Sequence, residues 1–182
     1  MTVTRANAEA TKSYIRARLG NPYVYGGSLS PTAVKQGTDC SEVVQTVAEM
    51  ALGRYKPGRQ SEGATTESYR RKRQGGGLAD YTPGPFGTID VNSPGDIPAD
   101  AALKIALHHG PGGGANSHMW CELDGMRVES RGGGVGLITN PRAMAINDRY
   151  ATAWCYLPCP ISEDGTPVAP EYVVLGRNYE SY

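Results

Sequence analysis

Three side chains in this sequence have the chemistry to transfer a group together: the thiol of Cys40, the imidazole of His118 and the carboxylate of Glu129. Cys40 follows Gly37-Thr38-Asp39 and precedes Ser41-Glu42. Behind it Val43, Val44, Val47, Met50 and Ala51 recur at helical spacing, and Gly53 supplies a stop. Either Thr38 or Asp39 can cap that helix, which puts Cys40 in its first turn. Only a thiolate attacks, and the free N–H groups and positive dipole end of a helix start lower a thiol's pKa. Taken alone, a cysteine ahead of two valines is more often a buried packing residue, so the nucleophile reading requires a base nearby.

The chain holds three histidines, His108, His109 and His118. His118 opens an alternating segment that runs to Leu123. Asp124-Gly125 is a strong two-residue hairpin turn, and Met126 to Ser130 returns. His118 reads equally well as a structural histidine or as a base at a strand end beside a Gly-rich loop. His108 and His109 are adjacent, so on a strand they face opposite ways. A base needs an orienting group on its other ring nitrogen. Pairing across the hairpin brings Glu129 opposite the first residues of the His118 strand, with strands about 4.8 Å apart. Asn116, Asn147 and Asp148 compete for that place.

The elements that must position these groups read as helices first and strands later. Thr4 to Leu19 is predicted as a helix with Ala8, Tyr14, Ile15 and Leu19 on its apolar face and Gly20 as its stop. Asn21-Pro22 breaks it, and Tyr23-Val24-Tyr25 is extended up to Gly26-Gly27. After the Cys40 helix, Ser61 to Gln74 is predicted as a short exposed helix whose basic run, Arg70 to Arg73, reads as a solvated end. From residue 80 the pattern is strands: a Ser93-Pro94-Gly95-Asp96-Ile97 turn, then Ala102 to His108, the hairpin, and Tyr150 to Leu157. The layout is α+β with an antiparallel sheet. Residues 1–157 form the predicted domain, and 158–182, with Pro158, Pro160, Pro167 and Pro170, a strap or linker.

Composition narrows the function classes. Eighteen basic and 18 acidic side chains cancel, against the basic excess of a nucleic-acid binder. No apolar run approaches the roughly 18 residues of a membrane span, so no stable membrane association is expected. Met1 to Ala10 is polar and shows no signal-peptide core. Glycine reaches 24, clustered at Gly75-Gly76-Gly77, Gly112-Gly113-Gly114 and Gly132-Gly133-Gly134, which predicts a loop-rich domain. The last two clusters flank the His118 hairpin and are expected to act as lids. Cys40, Cys121, Cys155 and Cys159 lack zinc spacing. They read as reduced thiols, with a Cys155–Cys159 bridge as the alternative. No HExxH pattern supports a metallopeptidase on His108, His109 or His118. Gly110-Pro111-Gly112-Gly113-Gly114-Ala115 mimics a nucleotide loop, but a strand follows it where that fingerprint needs a helix.

Asn21-Pro22-Tyr23-Val24-Tyr25-Gly26-Gly27 followed by Asp39-Cys40-Ser41 resembles the opening motif of the NlpC/P60 cell-wall peptidases. In that family Pro-Tyr-x-Trp-Gly-Gly precedes an Asp-Cys-Ser-Gly helix start. Pro94-Gly95-Asp96 resembles the family's strand entry, and His118-Met119-Trp120 with Asp124-Gly125 its histidine strand and turn. The motifs occur in the family's order over residues 6 to 157. The long glycine-rich opening also resembles the N-terminal peptidase modules of mycobacteriophage endolysins. Tyr25 replaces the usual tryptophan, Glu42 replaces the glycine after Asp-Cys-Ser, and the hairpin to Glu129 is one residue short of the common spacing.

The resemblance implies a papain-like fold with the Cys40 helix packed on an antiparallel sheet. It implies Cys40 as nucleophile, His118 as base and Glu129 as third polar residue, with Tyr23, Asp39 and Ser41 on the substrate side. The implied reaction is hydrolysis of a peptidoglycan stem peptide through an acyl-enzyme, most often at the γ-D-glutamyl–diaminopimelate bond, without metal or organic cofactor. The polar start without a signal-peptide core is read as residence in the host cytoplasm before release to the wall, and the tail from Pro158 as a link to other lytic or wall-binding modules if the chain is one piece of a longer protein. The competing readings are a wall-binding or structural module that kept the fold without the chemistry, and an amidase or acyltransferase on the same fold.

Overall fold

The structure is a computed structural model and describes residues 1–55, 64–70, 84–163 and 165. Thr4 begins the first helix, α1 (Arg5–Arg16), by accepting the Asn7 N–H on its hydroxyl. The helix buries Ala8, Thr11, Lys12 and Ile15, one face at the 3–4 residue spacing. It stops earlier than predicted. Ala17 to Gly20 form turns, and Leu19 is exposed, because Gly20 takes a left-handed φ of 81° and turns the chain toward Leu137.

The second helix, α2 (Cys40–Ala51), starts on Asp39, whose Oδ1 accepts the Glu42 N–H at 2.8 Å. Such a cap contributes about 1 kcal/mol. Val43, Val44, Val47, Ala48 and Ala51 are buried as the periodicity predicts. Met50 is only half-buried, while Gln45, Thr46 and Glu49 are buried. α2 is therefore enclosed on more than its apolar face. One of the covering segments is α3 (Thr66–Tyr69), a single turn. The predicted exposed helix over 61–74 is corrected here: Tyr69 is 1% exposed and belongs to the core. Arg70 is extended and pairs with Glu67. Arg71 to Arg73 lie outside the described residues.

The main sheet contains β2 (Ile89–Val91), β3 (Leu103–His108), β4 (His118–Leu123), β5 (Met126–Arg131), β6 (Gly136–Thr139) and β7 (Ala153–Tyr156). Its order is β2-β7-β3-β4-β5-β6, antiparallel at every pairing. The β4–β5 hairpin is the one the sequence predicts. Asp124 and Gly125 both have positive φ, 45° and 76°, as a two-residue turn matched to strand twist requires. The short strands β2 and β6 were not distinguishable from turn sequence; β6 begins on a glycine and owes its place to pairing with β5.

α2 packs on the face of the sheet that carries Ile105, Leu107, Met119, Cys121, Leu123 and Val128, and α1 packs on α2. Trp120, Ala106, Ile97 and Ile146 pack on the other. There the 140–150 connection lies across the sheet and satisfies both tryptophans: Trp120 Nε1 donates to Ala145 O and Trp154 Nε1 to Ile146 O, each at 2.9 Å. Beyond β7, Cys159 is buried and its carbonyl accepts the Ala102 N–H. β8 (Ile161–Ser162) pairs in parallel with β1 (Val3–Thr4). The segment expected as a strap is thus seated on the start of α1 as far as Glu163. All four cysteines are buried, and none is in a disulfide.

One acid ties these parts together. Asp124, at the hairpin turn, accepts from Arg5 Nη1 and Lys12 Nζ, and Arg5 also binds Glu163 at 2.7 Å. Lys12 is 7% exposed, so its ammonium depends on this partner more than a surface lysine would. Asp124→Ala is expected to destabilise the fold by about 1–3 kcal/mol. A thermal-unfolding midpoint equal to that of the unaltered protein would refute this role.

Candidate active site

Cys40 is the first residue of α2 and is 5% exposed. Its approach is anchored from three sides. Asp39 Oδ2 accepts the Gly26 N–H at 3.0 Å, the Asp39 N–H donates to Gly27 O, and the Thr38 carbonyl accepts both the Val24 N–H and the Ser130 hydroxyl, the latter at 2.8 Å. Gly37 permits the close crossing: a Cβ there would lie 2.6 Å from Pro22 O. The Tyr23–Gly27 loop, the helix start and β5 are therefore joined at the cysteine.

Paired residues of β4 and β5 run from Leu123↔Met126 to Cys121↔Val128. Past that point the backbone turns to the helix. The Met119 N–H bonds the Cys40 sulfur, while Ser130 holds Thr38. The start of α2 thus sits where the two strands part. Continuing the register sets Glu129 diagonal to His118 on one face, and the structure joins them: His118 Nε2 lies 2.9 Å from Glu129 Oε1. The same imidazole hydrogen-bonds the Cys40 thiol. With Nε2 engaged by the carboxylate, Nδ1 is the nitrogen left for sulfur.

Glu129 has no exposed surface. Arg131 grips it with two bonds of 2.7 Å, from Nε and Nη2, and the Met144 N–H adds a third at 2.9 Å. Burial pushes the Glu129 carboxyl up, but His118, Arg131 and Met144 outweigh it and bring its pKa down to about 2. His118 is pushed down by burial and up by its bonds to Cys40 and Glu129, which win and raise it to about 9. Cys40 is pushed up by burial, and the His118 hydrogen bond and charge with the Met119 N–H prevail, leaving the thiol below its ordinary value. The three directions agree on a thiolate–imidazolium pair backed by a carboxylate. Because sulfur and imidazole are in contact, they titrate as a pair.

Tyr23 also hydrogen-bonds Cys40, and burial followed by the Cys40 and Asp39 charges pushes its phenol up, so it remains a donor. Asp39 and Ser41 serve the helix start: Ser41 Oγ donates to Asp39 Oδ1 at 3.0 Å. On the opposite side Thr66 Oγ1 lies 3.9 Å from Cys40 Sγ. Of the competitors for Glu129's place, Asn116 donates to Pro111 O, Asp148 accepts the Tyr150 N–H and Asn147 is exposed. His108 stacks on Tyr150 with centroids 4.0 Å apart, and His109 binds Glu67.

Gly112, Gly113 and Gly114 all have positive φ, and the loop closes in hydrogen-bonded turns from Gly110 to Ser117. Where a free lid was expected, this loop is seated as a wall of the site, with Gly113 against Glu67 and Gly114 facing the Tyr25 hydroxyl. Gly132, at the start of the other cluster, lies beside the Tyr23 ring.

Arg131, Met119 and Thr66 were not singled out from sequence. Arg131 had a signal: it stands two residues from Glu129 on the same strand face, and a buried carboxylate demands a cation. Met119 acts through its backbone and Thr66 from a distant turn, so residue type marks neither.

Residues 1–164 match the family described as Endolysin A. The Endolysin A of Mycobacterium phage L5 is 30% identical over 196 residues, covering 97% of this chain and 63% of that protein. This chain thus spans about 63% of that relative's length. Among solved structures, the P60 domain of an antigen from M. avium subspecies paratuberculosis is similar with a TM-score of 0.43 and 17% identity, over 84% of this chain and 94% of that one. By the family match over nearly its whole described length, the chain belongs to the Endolysin A family.

Proposed function

We propose that this chain is a cysteine peptidase module that hydrolyses the stem peptides of bacterial peptidoglycan. The observation that carries the reading is the Cys40 thiol hydrogen-bonded to the His118 imidazole, with the buried Glu129 carboxylate 2.9 Å behind it. Membership of the Endolysin A family supports the wall as substrate. Cys40 attacks the amide carbonyl as the thiolate. His118 gives its proton to the leaving amine, and an acyl-enzyme remains. Water, deprotonated by His118, then attacks the acyl carbon, and the acid leaves with the thiolate–imidazolium pair restored. Cys40 is the first residue of α2, so its own N–H has no acceptor within the helix. It is the donor a tetrahedral oxyanion would take, an effect of about 3–4 kcal/mol. Glu129, held by Arg131, keeps the ring oriented and protonated. Tyr23 borders the sulfur on the substrate side, with Asp39 and Ser41 shaping the floor beneath it.

The proposed bond is γ-D-glutamyl–diaminopimelate. The module acts from the host cytoplasm once released to the wall, and as a piece of a longer protein it would work beside further lytic or wall-binding modules.

On purified cell walls, Cys40→Ala is expected to cut the release of new amino groups by about a thousandfold or more. Iodoacetamide abolishes the release and EDTA leaves it intact. A Cys40→Ala protein that works at the unaltered rate sinks the assignment. The mass of products from defined muropeptides identifies the bond.

The dependence on pH follows from the pair. The productive form, thiolate with imidazolium, is lost at low pH as Cys40 gains a proton and at high pH as His118 loses one. The alkaline limb of kcat/KM is expected near pH 9. Glu129→Gln removes the charge that holds the proton on His118, so that limb should move down from 9 toward the ordinary histidine value of 6.5. An alkaline limb unmoved by Glu129→Gln contradicts the orienting role.

A further inference from the structure

The single turn α3 lies outside every sequence motif, yet one of its residues touches Cys40 and the next binds Ser117, the chain neighbour of His118. Thr66 is 6% exposed and its hydroxyl lies 3.9 Å from Cys40 Sγ. Glu67 Oε1 accepts the Ser117 hydroxyl at 2.5 Å and faces His109 Nδ1 at 2.9 Å. Ser117 is the residue immediately before His118. The turn is also fixed from α2, where the Gln45 amide bonds both the carbonyl and the N–H of Ala64. The loop comes close enough for the Glu67 contacts because Gly113 has no side chain: a Cβ there would lie 3.2 Å from Glu67 Oε1, at a φ of +69°.

We propose that Thr66 is a catalytic residue whose hydroxyl donates a hydrogen bond to the Cys40 thiolate, and that Glu67 is the positioning residue that holds it there through the β3–β4 loop. The donor direction follows from the charge state. In the thiolate–imidazolium pair the sulfur has no proton to give, so the Thr66 O–H is the donor. Burial pushes the Glu67 carboxyl up, but the Ser117 and His109 bonds prevail and keep it ionised, which preserves its grip as an acceptor. A hydrogen bond to the ionised sulfur favours that form, so Thr66 raises the fraction of Cys40 ready to attack. The inference rests on the proposed role of Cys40 for its meaning in catalysis, but not for its test.

The test is the rate of Cys40 alkylation by iodoacetamide across pH, read on the full chain from the mass of the Cys40 peptide. Thr66→Val, which keeps the shape and removes the hydroxyl, is expected to slow alkylation at neutral pH about three- to tenfold and to move the rise of the profile to higher pH. Thr66→Ser should restore the rate to within about twofold. Glu67→Ala, acting only through the turn, shifts the profile the same way. A Thr66→Val profile superimposable on the unaltered one overturns the proposal, as does a Thr66→Ser protein as slow as Thr66→Val. Should Thr66→Val not fold, an unchanged profile in Glu67→Ala overturns it instead. Iodoacetamide needs no peptide substrate, so failure of the wall assay would disprove the peptidase reading while this measurement still stands on its own.

Discussion

A carboxylate without solvent contact stays ionised only if the protein replaces its water, because an unpaired buried charge costs several kcal/mol. Glu129 meets that condition through His118, Arg131 and the Met144 N–H, and the site depends on it. The ionised carboxylate holds the proton on His118, and the charged imidazole draws the proton from Cys40. Each donor comes from a different element: the histidine from β4, the arginine from β5 itself, and the amide from the connection that covers the far face of the sheet. A local defect in any of these reaches the sulfur through two hydrogen bonds.

The second constraint is the meeting of a helix start with the place where two strands separate. β4 and β5 pair next to their turn, and beyond Cys121↔Val128 their polar groups are used elsewhere. Met119 offers its N–H to the sulfur and Ser130 its hydroxyl to Thr38. The Asp124 cluster works from the other end of the hairpin, fastening its turn to α1 and to Glu163. The hairpin is thus held at both ends, which keeps His118 and Glu129 in register.

The walls of the site are built from backbone as much as from side chains. Tyr23 and Gly132 lie on one side, and the Gly110–Ser117 turns with α3 on the other. Glycines that read as freedom in the sequence serve here to let chains approach. Gly113 admits Glu67, and Gly37 admits Pro22. A loop of this composition can be seated firmly, because left-handed φ values cost glycine little and the turns satisfy its polar groups.

Much of this was legible from residue order. Periodicity placed α2 and its N-cap choice between Thr38 and Asp39, the Asp124-Gly125 turn specified a hairpin, and period-two alternation put Glu129 within reach of His118, since these are local rules set by backbone geometry. The family motifs added the pairing of Cys40 with His118, 78 positions apart, which no local rule supplies. What residue order did not carry was anything decided by approach from afar. It did not show that Tyr69 would be core, that Leu19 would face water, that Gly112–Gly114 would be a wall, or that Arg131, Met144 and Thr66 would complete the site. Those outcomes depend on which surfaces meet once the sheet closes over α2, and a hydroxyl or an amide has no chemical role until a partner's charge is brought beside it.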